Sequence, residues 1–456
     1  MTFAKAFLET HRDTVLADYF EFLRFASVGV DPARYGECVR CTGWLRRYVK
    51  AMGFDVEIVA PEGGVPPVLF AERSGAPGAP VVLVYGHYDV QPEDPVAEWH
   101  SAPFEPELRG NRVYARGAQD DKGQLFAFLQ GVRAVIAAGG KLPTLRLMLE
   151  GQEECGSPGT LERLDGWRER LRADILMVID TGMHASGRPA IVAGLRGVMS
   201  LGVRLRGAAY DLHSGTHGGI APNAAQALAE LAASLHDANG RIAVEGFLQG
   251  VSAPSDAERA ELAREPFDPA AYAASVGVAP VGGETGIPPE LRAGFLPTLE
   301  INGLHAGYAG PGGKTIIPSE GVLKLSARLT PGQSPRHCME ALQTHLKNAC
   351  PRGMQLTFED VHEGAPGFRL GMHSPVFRLA HEVLEKLDPR GPVMQWEGAS
   401  IPVVGRLREI SGAAPLLVGF GREEDRIHSP NESFGLDQFE MAAMYAAGMM
   451  NALVAG

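Results

Sequence analysis

The stretch Thr144-Leu145-Arg146-Leu147-Met148-Leu149-Glu150-Gly151-Gln152-Glu153-Glu154-Cys155 joins an apolar run to a pair of adjacent carboxylates. The run has the composition of a buried strand, and Glu153 and Glu154 follow shortly after it ends. Two neighbouring carboxylates repel each other, so burying both requires a proton or a cation nearby. An isolated Glu-Glu pair is typical of a solvated turn. The pair therefore points to a site only if other polar residues occupy similar places in the chain.

Other acidic and imidazole side chains also follow apolar runs: His87, Asp89, Asp120, Asp121, Asp180 and His428. Functional sites of α/β sheets collect at strand ends. The two-residue period of a strand places His87 and Asp89 on one face, so the carboxylate can accept the second imidazole N–H and set its tautomer. Asp120 and Asp121 alone would equally fit a helix cap. Together, two histidines and several carboxylates predict a divalent-metal site, and six candidate ligands suit two ions that share one carboxylate better than one tetrahedral ion.

Length and composition restrict the class of protein. A chain of 456 residues with 45% hydrophobic and 21% charged residues predicts a globular protein of about two or three domains. The formal charge of −12 argues against nucleic acid as a partner. The N-terminus lacks the apolar core of a secretion signal, and no uncharged apolar stretch approaches the roughly 18 residues of a membrane span. Five cysteines fit a reducing, cytoplasmic location, and we interpret Cys38 and Cys41 as ordinary buried or half-buried thiols.

The order of the predicted elements separates two parts of the chain. Strands and helices alternate up to about residue 194 and again from about 374, which predicts an α/β domain with a mostly parallel sheet flanked by helices. Between these parts, residues 198–206 and 322–329 alternate in polarity, which is typical of half-exposed antiparallel strands. We therefore predict one domain from 1–194 and 373–456, and an inserted α+β domain from 195–372.

Three further element predictions are less regular. Residues 4–25 have apolar positions at helical spacing and predict one opening helix. Another helix is expected near 160–171. The stretch from about 240 to 295, rich in Pro, Gly and Ala, is interpreted as a helical excursion or a long loop.

Several motifs, in order along the chain, give a specific resemblance. They are 86–92, 116–117 with 120–123, 150–151 with 153–154, 211–215, 314–318, 397–398 with 400–402, and 428–429 with 431–432. In these motifs the chain resembles the M20 metallopeptidase family, in particular its dipeptidases of the cytosolic nonspecific dipeptidase and carnosinase type. The resemblance implies a zinc-peptidase-like catalytic domain in 1–194 and 373–456, with 195–372 as a lid or dimerisation domain.

The resemblance also implies how two divalent ions per subunit are held. One ion would be bound by His87 and Asp180 and the other by Glu154 and His428, with Asp120 as the bridge. Zinc is the expected metal, and histidine and carboxylate ligands without cysteine also suit manganese or cobalt.

The catalytic roles follow from the same resemblance. Glu153 would be the general base, taking a proton from the water that bridges the metals and passing it to the leaving amine. A carboxylate that is not itself a metal ligand is the reasonable proton carrier beside two cations. Asp89 would support His87, and the peptide bond between Asp120 and Asp121 would be cis. His213 would reach the active site of the partner subunit and stabilise the oxyanion, which implies a homodimer through the inserted domain.

The resemblance further assigns substrate contacts. Arg328 would grip the C-terminal carboxylate of the substrate, a task that suits a planar guanidinium. Thr315, His362 and Ser400 match further substrate contacts. Without the resemblance, the residues favour the interpretation of Arg328 as a surface arginine on an edge strand.

These observations predict a cytoplasmic two-metal hydrolase that cleaves the peptide bond of dipeptides. One alternative is an enzyme of the same family that cleaves another amide, either an N-acyl amino acid deacylase or a carboxypeptidase. An alternative of a different class is a non-catalytic binding protein on the same fold. The complete set of predicted ligands argues against the last alternative.

Overall fold

The structure is a computed structural model that describes residues 1–60, 63–372, 374–398 and 401–455. By its internal contacts the chain divides into two compact units. The first comprises Met1–Ala193, Leu370–Gln395 and Arg406–Gly456, and the second comprises Gly194–Arg369 and Trp396–Gly405. The second unit thus includes the segment 396–405, which the sequence-based boundaries assigned to the first. Its role as a lid or dimerisation domain stays a prediction.

Strands and helices cover most of the chain. The strands are β1 (Asp55–Val59), β2 (Val68–Arg73), β3 (Val81–His87), β4 (Glu107–Arg109), β5 (Arg112–Tyr114), β6 (Thr144–Glu150), β7 (Ile175–Val178), β8 (Ala190–Leu195), β9 (Gly197–Arg206), β10 (Leu212–His213), β11 (Thr298–Ala306), β12 (Ile316–Ile317), β13 (Glu320–Leu329), β14 (Gln355–Ala365), β15 (Phe368–Arg369), β16 (Val393–Glu397), β17 (Ala414–Leu417) and β18 (Ser433–Gly435). The helices are α1 (Thr2–Thr10), α2 (Arg12–Leu23), α3 (Tyr35–Ala51), α4 (Lys122–Ala137), α5 (Pro158–Leu161), α6 (Arg168–Leu171), α7 (Ser214–His217), α8 (Ala224–Ala233), α9 (Asp256–Leu262), α10 (Pro269–Val276), α11 (Pro289–Phe295), α12 (Pro335–Ala349), α13 (Pro375–Leu387), α14 (Pro402–Ser411) and α15 (Leu436–Ala455).

The large sheet has the strand order β1-β2-β6-β3-β7-β17-β8-β15, and β16 pairs with β8. Its central pairs β6–β3, β3–β7 and β7–β17 are parallel. The four residues of β7 are all buried, as expected for a strand covered on both faces. The prediction of an α/β fold with a mostly parallel central sheet flanked by helices is confirmed.

A small antiparallel sheet joins distant parts of the first unit. Strand β5 pairs with β4 and with β18, so that Ser433 lies opposite Tyr114. This pairing fixes Ser433–Gly435 beside the segment that leads into α4. It matters for the site because Asp120 and His428 lie just beyond the paired residues.

The second unit contains a four-stranded antiparallel sheet of order β11-β13-β9-β14. Strand β13 alternates between buried and less buried residues, which confirms the predicted half-exposed strand. Leu201 and Leu325 lie in one hydrophobic core with Leu228 of α8 and Leu342 of α12. The segment from 240 to 295 contains α9, α10 and α11, so the prediction of a helical excursion is correct.

Two predicted helices are wrong in extent. The opening helix is divided into α1 and α2 at His11, whose φ of −108° and ψ of 16° leave the helical region. Neither Gly nor Pro marks this break, and Thr and His are only weak helix formers, so apolar spacing alone could not show it. The predicted helix near 160–171 consists of the short α5 and α6 with a 3-10 turn at Leu164–Trp167 between them.

Among the helices of the described residues, none combines the length and the apolar composition needed to cross a membrane. All five cysteines are free thiols, and Cys38 and Cys41 are buried, which confirms that this pair is an ordinary part of the core.

Helices α4 and α15 cross closely at Gly131. A Cβ atom at this position would lie 2.3 Å from the carbonyl oxygen of Ala443 and 2.7 Å from the Cβ of Ala446. We predict that Gly131→Ala lowers the free energy of unfolding by about 1–3 kcal/mol, because the two helices must separate to admit the methyl group. The midpoint of thermal or denaturant unfolding measures this change.

Gly43→Ala is the matched control, because Gly43 also lies inside a helix but a Cβ there would meet no atom within 4 Å. Alanine is the better helix former, so this variant should gain about 0.5–1 kcal/mol. Equal effects of the two substitutions would contradict the close packing of α4 and α15.

Candidate metal centre

The site begins at the carboxyl ends of parallel strands. His87 is the last residue of β3 and lies opposite Glu150, the last residue of β6. Asp180 follows two residues after the end of β7, which pairs with β3 in parallel. Because the carboxyl ends of parallel strands meet at one edge of a sheet, these residues converge there. The turn after β6, a 3-10 helix over Glu153–Cys155, carries both adjacent glutamates to the same edge.

The six predicted residues form two groups. Among the described residues, the groups able to hold a metal ion are His87, Glu153 and Asp180, and Asp120, Glu154 and His428. Within each group, one ligand atom of every residue lies within 4.8 Å of the others. The structure therefore brings together side chains that are separated by more than 300 positions in sequence.

Asp120 lies between the two histidines. Its Oδ1 is 3.2 Å from Nε2 of His87, and its Oδ2 is 2.9 Å from Nε2 of His428. The same nitrogen of each histidine also faces a second carboxylate: Oδ2 of Asp180 is 3.6 Å from Nε2 of His87, and Oε2 of Glu154 is 3.2 Å from Nε2 of His428. One carboxylate oxygen facing each imidazole is the arrangement in which a carboxylate can bridge two ions.

The donor set fits divalent metal ions. The imidazole of His87 is buried, and its Nε2 makes no hydrogen bond of good geometry with the described residues although two carboxylates face it. A buried ring nitrogen without a partner is costly, and a cation between it and the carboxylates would remove that cost. Nitrogen and oxygen donors without cysteine suit zinc, manganese or cobalt.

Asp89 supports both sides of this edge. Nδ1 of His87 donates a hydrogen bond to the backbone carbonyl oxygen of Asp89 at 3.2 Å, and Oδ1 of Asp89 lies 3.4 Å from the same nitrogen; carbonyl and carboxylate partners of this kind orient an imidazole. The same carboxylate also accepts hydrogen bonds from the backbone N–H groups of Glu153 and Glu154, at 3.2 and 3.1 Å. Sequence reasoning missed this second contact, because only the folded turn brings those N–H groups to Asp89.

The two adjacent glutamates have different surroundings. Gln91 donates a hydrogen bond of 2.7 Å from Nε2 to Oε2 of Glu154, which holds that carboxylate near His428. No hydrogen bond within the described part of the chain restrains the carboxylate of Glu153. A side-chain hydrogen bond thus restrains the carboxylate of Glu154, whereas the described residues provide none for the carboxylate of Glu153.

The electrostatics of the edge favour bound cations. Burial raises the pKa of Glu153 to about 9, the charge of His87 opposes this shift, and the charges of Asp180 and Glu154 add to it. The carboxylates of Asp120 and Glu154 raise the pKa of His428 to about 10. Without a metal, protons on these groups must compensate the clustered negative charge.

The peptide bond between Asp120 and Asp121 is cis, as predicted. The side chain of Asp121 does not cap α4. Its Oδ2 instead accepts a hydrogen bond of 3.2 Å from the backbone N–H of His87. The acidic pair is therefore part of the site edge rather than a helix cap.

Two motifs of the second unit lie side by side. Strand β10, which ends at His213, pairs with β12, which follows Thr315. The N–H of Ser214 donates to the carbonyl of Thr315 at 3.0 Å. The imidazole of His213 is exposed, and its Nδ1 accepts a hydrogen bond from the N–H of Gly215 at 3.0 Å.

Two of the remaining predicted substrate residues, Arg328 and His362, also lie in the second unit. Arg328 is half-buried on β13, and His362 is exposed on β14. Burial lowers the pKa of Arg328. Ser400 lies outside the described residues. No sequence motif marks the neighbouring Arg196, whose pKa is lowered to about 10 by burial and by the charge of Arg328.

Comparison with known proteins is consistent with this geometry. The profile of peptidase family M20/M25/M40 matches residues 83–452. The Cys-Gly metallodipeptidase of Schizosaccharomyces pombe is 29% identical over 82% of this chain and 80% of its own length. The human Beta-Ala-His dipeptidase is 28% identical over 81% of this chain and 74% of its own length. An M20 family metallo-carboxypeptidase from Sulfolobus solfataricus superposes with a TM-score of 0.84 at 28% identity, covering 96% of this chain and 99% of its own.

The profile match extends over most of the chain, from the strand that ends at His87 to the C-terminal helix beyond His428. It therefore contains both groups of candidate ligands. This chain belongs to peptidase family M20/M25/M40.

Proposed function

We propose that this protein is a two-metal dipeptidase. The observation that carries the proposal is the pair of ligand groups, in which Asp120 lies between the two histidines and Glu153 belongs to the group of His87 and Asp180. Relatives that match over about four fifths of the chain are named as dipeptidases of Cys-Gly and of Beta-Ala-His. Both names describe short substrates with a free carboxyl end.

Five side chains would hold the two ions. His87 and Asp180 would hold one ion, Glu154 and His428 the other, and Asp120 would contact both. Two divalent ions held in this way make a water more acidic and polarise the scissile carbonyl.

Glu153 is the proton carrier of this proposal. Bound cations beside Glu153 would lower its pKa from the metal-free value of about 9, so that the carboxylate is ionised near neutral pH. It then accepts a proton from the attacking water and delivers it to the amine nitrogen as the C–N bond breaks. Asp89 orients His87 and holds the turn that carries Glu153.

The second unit would supply the substrate contacts. Arg328 would bind the C-terminal carboxylate. Burial and, to a smaller extent, the charge of Arg328 lower the pKa of Arg196, and an anion beside the two guanidinium groups would offset that repulsion. Thr315, His362 and Ser400 would add further contacts. His213 would stabilise the oxyanion in the active site of the other subunit of a homodimer formed through this unit.

The proposal includes zinc as the metal, with manganese and cobalt as alternatives, and a cytoplasmic location. Histidine and carboxylate ligands support the choice of metal. Five free cysteines support a reducing compartment.

Carboxypeptidase activity is the second candidate, because the Sulfolobus solfataricus neighbour is described as a metallo-carboxypeptidase.

A panel of dipeptides, tripeptides and N-acetyl amino acids, assayed with zinc, manganese or cobalt, separates the functions. We expect dipeptides to be cleaved faster than tripeptides, with activity lost in a chelator and restored by metal. Cleavage of tripeptides at an equal rate would favour the carboxypeptidase, and cleavage of N-acetyl amino acids alone would favour a deacylase. If none of these substrates is hydrolysed in a chelator-sensitive reaction, the result would favour a non-catalytic binding protein.

Glu153 and Glu154 should respond differently to the same substitution. We predict that Glu153→Gln keeps both ions but lowers kcat by roughly 10²–10⁴-fold, because the proton carrier is lost. Glu154→Gln should lose metal, because a neutral amide is a poorer ligand than the carboxylate held near His428. Metal content by mass spectrometry and steady-state kinetics measure the two effects.

The matched control is Glu162→Gln, a change at a side chain that is 75% exposed in the same unit. This variant should retain metal content and kcat. Near-normal turnover of Glu153→Gln would refute the assigned role of Glu153.

Metal binding should release protons. In the metal-free protein the pKa values of Glu153 and His428 are raised to about 9 and about 10, so both groups are protonated at pH 7. Despite its burial, the carboxylates around His87 raise its pKa as well, so cations displace protons from all three groups, and we predict a release of at least two protons per chain at pH 7. Metal affinity should consequently rise as pH rises from 7 towards 9.

Calorimetric titration with zinc in buffers of different ionisation enthalpy measures the number of protons. Glu153→Gln should release up to one proton fewer than the wild type, and Glu162→Gln should match the wild type. Proton release that is unchanged in Glu153→Gln would show that Glu153 carries no proton in the metal-free site.

A further inference from the structure

Arg116 and Glu432 belong to the motifs that define the family resemblance, yet the proposed mechanism gives neither of them a role. Glu432 follows four residues after His428, and its side chain is 1% exposed. We propose that Glu432 is a positioning residue that sets the place of His428 relative to Asp120, and that the capacity to hold two ions depends on it. This inference rests on the proposed two-metal site.

The carboxylate of Glu432 accepts several hydrogen bonds from the segment that carries Asp120. Its Oε1 accepts hydrogen bonds from the backbone N–H groups of Gln119 at 2.9 Å and Asp120 at 3.1 Å. Its Oε2 accepts from the N–H of Gly117 and from Nη1 of Arg116, both at 2.9 Å. All of these donors lie in the few residues before α4. One side chain thus ties the loop of His428 to the loop of Asp120.

The opposite side of the same loop is anchored through Asn431. Its Oδ1 accepts from the N–H of His100 at 2.8 Å, and its Nδ2 donates to the carbonyl of Glu98 at 2.9 Å. His428 and Asn431 both have positive φ values, 59° and 65°, a region that residues other than glycine rarely adopt. The loop therefore needs contacts from outside itself to keep its shape.

The imidazole of His428 has little else to hold it. Its side chain is 52% exposed, and its polar neighbours in the described structure are the carboxylates of Asp120 and Glu154. These carboxylates would be occupied by metal, so they cannot also position the ring. The position of His428 must come from the backbone of its loop, which Glu432 and Asn431 secure.

Stability alone is a weak explanation for the Arg116–Glu432 pair. Both side chains are 1% exposed, and removing two charges from water costs about as much as their attraction returns. A buried ion pair of this kind is better accounted for by the geometry that it imposes.

Asp425 provides a matched structural control. It lies three residues before His428, its side chain is fully buried, and it pairs with Arg112. It also accepts hydrogen bonds from the N–H of Arg422 at 2.6 Å and from Nε2 of Gln438 at 2.8 Å. None of these partners belongs to the segment that carries Asp120. Asp425→Asn therefore disturbs another buried, arginine-paired carboxylate in the same loop without touching that segment.

The experiment compares wild type, Glu432→Gln and Asp425→Asn. Zinc affinity and stoichiometry are measured by competition with a chelator, and the unfolding midpoint of each metal-free protein is measured in parallel. We expect Glu432→Gln to weaken binding of at least one ion by about 10–100-fold, as substitutions that support metal ligands do. Asp425→Asn should lower the unfolding midpoint but keep zinc affinity close to that of the wild type.

Glu432→Asp is the second variant in case Glu432→Gln does not fold. It keeps the charge beside Arg116 but is one methylene too short to reach every N–H donor, so it should weaken zinc binding in the same direction and partly retain it. Wild-type zinc binding in the Glu432 variants, or a loss no larger than that of Asp425→Asn, would overturn the inference.

The failure of this inference can be told apart from the failure of the proposed function. If the wild type binds two zinc ions and hydrolyses dipeptides while the Glu432 variants bind zinc normally, only the positioning role is wrong. If the wild type binds zinc with the expected dependence on Glu432 but hydrolyses no dipeptide, the proposed function is wrong and the positioning role stands. A wild type that never binds two ions would overturn both.

Discussion

The site depends on one electrostatic constraint: several carboxylates and two imidazoles share a small volume at the edge of a parallel sheet. Asp120 lies about 3 Å from both histidines, and Glu153 and Asp180 stand in the same cluster. Like charges at this spacing cannot all remain ionised without compensation. Protons provide it in the metal-free protein, which is why the pKa values of Glu153 and His428 are displaced upwards. Divalent cations provide it better, because each supplies two charges and accepts several donors.

Hydrogen bonds to the backbone hold the loops that carry these charged side chains. Asp89 accepts N–H groups from the turn that carries Glu153 and Glu154, and Glu432 accepts N–H groups from the segment that carries Asp120. Each buried carboxylate thereby satisfies backbone donors and fixes a loop at the same time. Burying a carboxylate costs free energy. Here the buried carboxylates hold the loops that keep the other charged groups in place.

Much of this arrangement could be predicted from the chain. The apolar runs before His87, Glu153 and Asp180 indicated strands, and the parallel order indicated that their carboxyl ends meet. Local pattern was less informative where tertiary contacts decide: the break at His11 has no breaker residue, and the short helices around Leu164–Trp167 were predicted as one. The second contact of Asp89 and the neighbourhood of Arg196 and Arg328 could not be predicted, because they join residues with no periodic relation in sequence.

Local composition and short motifs are sufficient to predict the strand and helix pattern of the α/β fold, the family, and the residues that form the site. How those residues face one another depends on the folded chain: each oxygen of Asp120 faces a different histidine, Gln91 restrains Glu154 and not Glu153, and Glu432 connects segments more than 300 residues apart. Distances between remote side chains depend on strand pairing and loop anchoring, and no local pattern of residues encodes them.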